Sequence, residues 1–256
     1  MKHYGTGRYL EGREIMERPI LFNTTMVKAI LDGRKSQTRR IIKGLGNTLH
    51  FGKLLGDWAL SEKPYIKDGL LYWELQTDVD GSRVFTAKLP YQVGDTFWVR
   101  EAFRQRFGMS YAWMDGCEQP IDDAEEIEYK AGGSGFKLGG LNLCPSEDYR
   151  IVWSEWAKWH PSIHMPRKVA RIFLKVVDVR VERLQDITNA DIKSEGTILA
   201  KLNDEFDNEF SEEAMWNMEF QILWNSTVKK QDLERYGWNA NPYIWVIEFE
   251  VTKNGR

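Results

Sequence analysis

Apolar residues recur along this chain at two spacings, and the switches between them mark its elements. Met26, Val27, Ile30 and Leu31 share a face at helical period. Asn23 or Thr24 stands where an N-cap belongs, and Gly33 where a left-handed residue ends a helix. LLYWELQTDVDGSRVFTAKL (residues 70–89) alternates on both sides of Asp80-Gly81, which predicts a β-hairpin. In YQVGDTFWVREAF a turn at Gly94-Asp95 leads into a strand where Phe97 and Val99 alternate with Trp98 and Arg100. KVARIFLKVVDVRVERL puts Ala170, Ile172, Leu174 and Val176 on one face, then shifts phase to Val177, Val179 and Val181. A bend or bulge near Val176, as in a curved sheet, would produce that shift.

Thr188 and Asp191 match a capping box for a short helix that Gly196 would close. A longer helix starts near Ser211, with Trp216, Phe220, Leu223 and Trp224 as its apolar stripe. The closing PYIWVIEFEV alternates, which turns Tyr243, Trp245, Ile247, Phe249 and Val251 inward. Residues 104–161 are the least regular. They hold an acidic patch (Asp122 to Glu128) and the glycine-rich AGGSGFKLGG, which lacks the GK[ST] of a phosphate loop and reads as a mobile loop, or as a substrate lid. The sum is an α+β protein of curved, antiparallel strands around a small β-barrel with short flanking helices. Residues 1–18 read as a polar arm, and 19–256 as a single domain with insertions at about 44–90 and 105–161.

The chain has 256 residues, 42% of them hydrophobic and eleven of them tryptophan, which suits a sizeable folded core. A net charge of −3 gives no bulk attraction for nucleic acid, so such contacts must come from local basic clusters. Arg34, Lys35, Arg39, Arg40 and Lys43 form one, and Arg167, Lys168 and Arg171 another. Cys117 and Cys144 lack metal-ligand spacing, and the four histidines form no HExxH pattern, so neither a metal nor a cofactor is expected. There is no apolar run of signal or membrane-spanning length, so a cytoplasmic, membrane-free protein is expected.

The densest candidate chemistry lies in ILDGRKSQTRR. A step of three from Lys35 to Thr38 does not put both on one face of a flat strand, but a turn or bulge around Ser36 would let amine and hydroxyl converge. The plainer alternative is a solvated basic turn that complements the helix C-terminus, each charge worth about 0.3–1 kcal/mol.

GRKSQTRR after a short helix, VGDTFWVRE, SIHMPRKVARI, ITNADIKSEG and NPYIWVIEFEV together resemble the ASCH domain, a PUA-like β-barrel family, and in particular its long phage and prophage members. The resemblance covers roughly residues 19–43, 91–104, 162–196 and 211–251. It implies a barrel whose cleft faces nucleic acid (RNA more than DNA) or a modified nucleoside. One small bacterial branch hydrolyses N4-acetylcytidine with a lysine as proton acceptor, a threonine as nucleophile and a glutamate as proton donor. Its GRKxxT pattern falls on Lys35 and Thr38, and its glutamate position on Glu195. Those enzymes are much shorter than this chain, and other branches are described as RNA-binding proteins or ribonucleases.

For such chemistry a threonine needs an adjacent base, and a lysine of pKa about 10.4 must be lowered by several units. Burial, or repulsion from Arg34 and Arg39, would do so. Glu195 in the last turn of a helix opposes the macrodipole, an environment that suits a proton donor. Arg100, His164 and Arg167 are candidates to hold a phosphate or a base, with structural charges and a turn histidine as the alternative; Trp98 is core by default. Three functions follow: an ASCH-type nucleic-acid or nucleobase binder, an amidohydrolase of N4-acylated cytidine, and a phage protein that sequesters a host factor or nucleotide without chemistry.

Overall fold

The structure, a computed structural model, describes residues 9–10, 13–42, 59–60, 64–77, 81–114, 117–138, 149–197 and 211–252. It is an α+β protein, mostly sheet with few helices. Strands β1 (Tyr9–Leu10), β2 (Arg13–Glu14) and β3 (Glu17–Leu21) precede helix α1 (Thr24–Leu31) and strand β4 (Gln37–Ile41). Next come β5 (Ala59–Leu60), β6 (Tyr65–Lys67), β7 (Leu70–Thr77), β8 (Gly81–Lys88) and β9 (Thr96–Arg100). The strands β10 (Phe103–Met114), β11 (Cys117–Tyr129), β12 (Ser134–Leu138), β13 (Tyr149–Trp153) and β14 (Phe173–Arg183) follow. The chain ends with α2 (Asn189–Ser194), α3 (Glu212–Thr227), α4 (Leu233–Tyr236) and β15 (Tyr243–Thr252). Five strands form a sheet in the order β3-β9-β14-β15-β4, and among the described residues no sheet closes into a barrel. No described helix is long and apolar enough to cross a membrane.

The chain separates into two compact units, one of Met1–Glu17, Ala29–Phe97 and Leu174–Thr252, the other of Arg18–Lys28, Trp98–Phe173 and Lys253–Arg256.

The first unit is built around Leu184, Ile187, Ile192, Phe220, Trp224, Val228, Ile244 and Val246. The predicted capping box of Thr188 and Asp191 forms at α2, and the helix expected to start near Ser211 is α3, capped by the Ser211 side chain accepting from Ala214 N. Phe220 and Trp224, one turn apart, carry the buried stripe of α3. In β15 the expected alternation gives way, because Ile244, Trp245, Val246 and Ile247 are all buried. The strand has cover on both faces, so the period-two signal marks neither as outside. In β14, Leu174, Val176 and Val181 are buried while Val177 is exposed, which puts the phase change after Val177. Strands β7 and β8 pair as the predicted hairpin, from Leu70 opposite Lys88 to Thr77 opposite Gly81, with the turn outside the described residues. Met16 N donates to Asp95 Oδ1 at 3.1 Å and Met16 O accepts from Thr96 N at 2.9 Å, so the last residues of the polar arm are anchored.

The second unit overturns the reading of residues 104–161 as the least regular stretch. Their described strands form a four-stranded antiparallel sheet in the order β12-β11-β10-β13. The acidic patch is β11 itself, paired with β10 along its length, and Glu128 and Glu126 stand opposite Arg104 and Arg106. These pairs bond at 2.6 and 2.7 Å, so charged residues occupy positions where a hydrophobic alternation was sought. The described part of the glycine-rich segment, residues 131–138, is the β11–β12 turn and β12 rather than a mobile loop. Gly132 (φ 102°) and Gly133 (φ 83°) supply the left-handed backbone that a tight turn requires. A Cβ on Gly133 would lie 2.8 Å from Arg171 Nη1.

That arginine makes a bidentate pair with buried Glu101, at 2.8 and 3.0 Å, and lies over the Tyr129 ring. Beyond β13 the backbone donates at every third residue to every second residue of β10. Ser154 N reaches Phe107 O, Ala157 N reaches Gln105 O, and His160 N reaches Phe103 O. A three-residue repeat without internal bonds is the habit of a polyproline-type helix. It puts Trp153, Trp156 and Trp159 on one side, with Arg106 stacked between the first two (4.7 and 4.5 Å) and Arg104 between the last two (4.8 Å each).

Candidate functional site

The site in the first unit begins at the end of α1. Asn23 Oδ1 accepts from Met26 N at 2.8 Å to start the helix, and Gly33 (φ 72°) ends it. Ala29 O then accepts from both Arg34 N (2.9 Å) and Lys35 N (3.0 Å), which satisfies a carbonyl that the helix leaves open. Lys35 forms an isolated antiparallel bridge with Glu195, the C-cap residue of α2. Ser36 N donates to Ser194 O and Ser36 O accepts from Phe249 N, both at 2.9 Å. The predicted turn at Ser36 is thus a clasp between the GRKSQTRR and ITNADIKSEG segments. Gly196 makes it tight: its φ is 80°, and a Cβ there would lie 2.6 Å from Ala29 Cβ and 3.0 Å from Lys35 Cβ.

Lys35 and Glu195 meet as a buried ion pair, Nζ to Oε2 at 2.7 Å, with side-chain exposures of 0% and 5%. Nζ also donates to Gln37 O at 2.7 Å and Glu195 O at 2.9 Å, giving each ammonium proton an acceptor. The other carboxylate oxygen accepts from Arg39 Nη1 at 3.2 Å. Burial lowers the Lys35 pKa, the neighbouring Glu195 opposes that, and Arg40 and Arg39 add repulsion. Burial and Arg39 are therefore among the causes as expected, but Arg34 is not. Its guanidinium turns outward to Asp32 (2.9 Å) and Gly196 O (3.2 Å).

No family model, curated protein or solved structure matches the chain.

Thr38 is buried and pairs with Ile247 on β15. Strand alternation sets Thr38 and Arg40 on one face of β4 and Gln37, Arg39 and Ile41 on the other. Of the three residues of the expected triad, Lys35 and Glu195 share a direct contact, whereas Thr38 faces away from Arg39 and towards the side of Arg40. Arg40 is half-buried, and desolvation lowers its pKa against the influence of Tyr91 and Glu195. Arg39, expected to touch a ligand, has a side chain only 1% exposed and faces Glu195, Glu182 and Asp191.

Arg100, His164 and Arg167 belong to the second unit. Arg100 stacks on Trp98 at 4.7 Å and donates to Ile163 O at 3.2 Å. Arg167 stands over Phe173 at 5.3 Å, and His164 is exposed at the end of a single 3-10 turn. The sequence reading missed the acids around Arg39. Their signal was available: Asp191 and Glu195 are four apart on one short helix, and Asp178, Arg180 and Glu182 alternate along one strand.

Proposed function

We propose that this chain is an ASCH-type, PUA-like barrel protein of the phage and prophage kind that binds nucleic acid or a nucleobase, RNA before DNA. The supporting observation is the buried Lys35–Glu195 pair, which joins the two segments the resemblance assigns to one cleft, 160 residues apart. Arg40 and Thr38 share the adjoining face of β4, and Arg34 lies at its exposed rim. Binding is favoured over hydrolysis because the ammonium protons of Lys35 go to two backbone carbonyls and Glu195, so the amine presents no free lone pair to a threonine hydroxyl.

One observation keeps the amidohydrolase as a second reading. Loss of a proton across the 2.7 Å contact would make Lys35 a neutral base, and burial lowers the Lys35 pKa in that direction. Fluorescence anisotropy with labelled RNA and DNA oligonucleotides tests binding. With two or three phosphate contacts, log K should fall with log salt at a slope of about −1.4 to −2.1 for single-stranded RNA. Arg40→Ala should weaken the complex. Incubation with N4-acetylcytidine tests the second reading: cytidine release abolished in Thr38→Val would favour it. No binding to RNA, DNA or nucleoside at low salt, with no turnover, would end both.

A further inference from the structure

Arg39 stands at the centre of a chain of ion pairs that runs from the buried site to the surface of the first unit. Its Nη1 holds Glu195 Oε1 at 3.2 Å, and its Nη2 lies 3.5 Å from Asp191 and 3.7 Å from Glu182. Those two acids are in turn held by Arg180, from Nη2 to Asp191 Oδ1 at 3.6 Å and from Nε to Glu182 Oε1 at 2.7 Å. Arg180 Nη1 also binds Asp178 at 2.9 Å and Glu248. Lys35, Glu195 and Arg39 are all buried, with side chains 0%, 5% and 1% exposed, and exposure then rises to 20% at Asp191 and 31% at Arg180.

The geometry gives Arg39 a particular task. Asp191 and Glu195 are i and i+4 on α2, a like-charge pair that repels unless a cation lies between them. The planar guanidinium donates to Glu195 from Nη1 and brings Nη2, which makes no hydrogen bond, within 3.5 Å of Asp191, a reach that an ammonium lacks. Asp191 is not free to turn away, because its Oδ2 also accepts from Thr188 N (3.1 Å) and Oγ1 (2.7 Å) in the capping box. Arg39 therefore ties Glu195 to a fixed point at the other end of the same helix. Phe220 of α3, 5.9 Å from the guanidinium carbon, stands beside it. A group this enclosed cannot reach a ligand without opening the core.

We propose that Arg39 is a positioning residue, which aims the Glu195 carboxylate at Lys35 and is itself braced by Arg180 through Asp191 and Glu182. The proposal deepens the reading of Lys35 and Glu195 as the heart of the binding site. Its test, however, needs no ligand. The titration of Lys35 is followed by NMR of the lysine side-chain 13Cε in labelled protein, assigned with Lys35→Arg, in the wild type, Arg39→Met, Arg39→Lys and Arg180→Met.

Among the described residues, the charged groups acting on Lys35 include Glu195 beside α2 and Arg39 and Arg40 from β4, and Glu195 outweighs Arg39. If Arg39 acted by charge alone, its removal would relieve a repulsion and Lys35 would titrate at higher pH. If it aims Glu195, removal frees the carboxylate to turn away, and Lys35 should titrate lower by about one pH unit. Arg39→Lys should recover only part of the shift, since it restores the charge but not the fork. Arg180→Met, at the solvent-facing end, should shift Lys35 in the same downward direction by less, and it carries the test should Arg39→Met fail to fold. An upward shift, or none, overturns the proposal. Absence of RNA binding by the wild type, with the downward shift present in the variants, would instead count against the proposed function alone.

Discussion

Glu195 is in direct contact with both Lys35 and Arg39, and removing it exposes the energetics of the site. Glu195→Ala leaves two cations whose side chains are 0% and 1% exposed, with the 2.7 and 3.2 Å contacts gone. Breaking a buried pair by deleting one partner destabilises by about 3–5 kcal/mol, most of it the burden of the uncompensated charge. The variant should therefore lose that much in urea denaturation at pH 7, followed by tryptophan fluorescence.

The loss should also depend on pH in a definite sense. Without Glu195, burial, Arg40 and Arg39 all push the Lys35 pKa below its ordinary 10.5, so between the folded value and 10.5 the unfolded chain binds more protons. Stability of the variant then rises with pH through that window, and the gap to the wild type narrows. Lys35→Met/Glu195→Leu removes both charges and fills the space, so it should recover most of the loss, ending within about 1 kcal/mol of the wild type. A Glu195→Ala penalty below about 1 kcal/mol, or a double variant as unstable as the two single losses added together, would refute this picture of the pair.

Three further expectations follow from particular contacts. Gly196→Ala places a side chain at φ 80° and 2.6 Å from Ala29 Cβ, so it should cost about 1–3 kcal/mol in the same denaturation assay and loosen the clasp at Ser36. Gly108→Ala would bring a Cβ within 2.7 Å of Trp153 Cε3 and should push that indole off Arg106, reducing the near-ultraviolet circular dichroism while leaving the far-ultraviolet spectrum unchanged. Asp191 has its pKa raised by burial but lowered more by Thr188 and Arg39, and the net value lies below the ordinary 3.8. Its contribution is thus fully present above pH 3.8 and lost as pH falls through the depressed value. The stability advantage of the wild type over Asp191→Asn should accordingly be constant near neutral pH and shrink in acid.

Much of the helix structure was legible because its signals are local. Asn23, Gly33 and the Thr188–Asp191 box each act within one helical turn. The strand β15 was legible as a strand but not in its inward face, since cover on both sides erases alternation. The sheet of β10 to β13 escaped notice for a different reason. Its order comes from cross-strand Arg–Glu pairs and from tryptophans repeating every three residues beside arginines repeating every two, a match that hydrophobic periodicity does not register.

At the site, a turn or bulge at Ser36 was expected to bring Lys35 and Thr38 together, but the partner that Lys35 meets is 160 residues away. The resemblance, not any local pattern, supplied Glu195. The role of Arg39 needed the fold, because a strand's two faces cannot be assigned to cleft and core until their neighbours are known.

The most direct test of a nucleobase or RNA site built on Lys35 and Glu195 is to map where a ligand lands. Backbone amide shifts of labelled protein, recorded during titration with a short single-stranded RNA and with cytidine, should move at Arg34 to Arg40 and at Ser194 to Gly196. They should stay still along β10 to β13. Saturable shifts confined to the β10–β13 sheet, or no shifts with either ligand, would contradict the account.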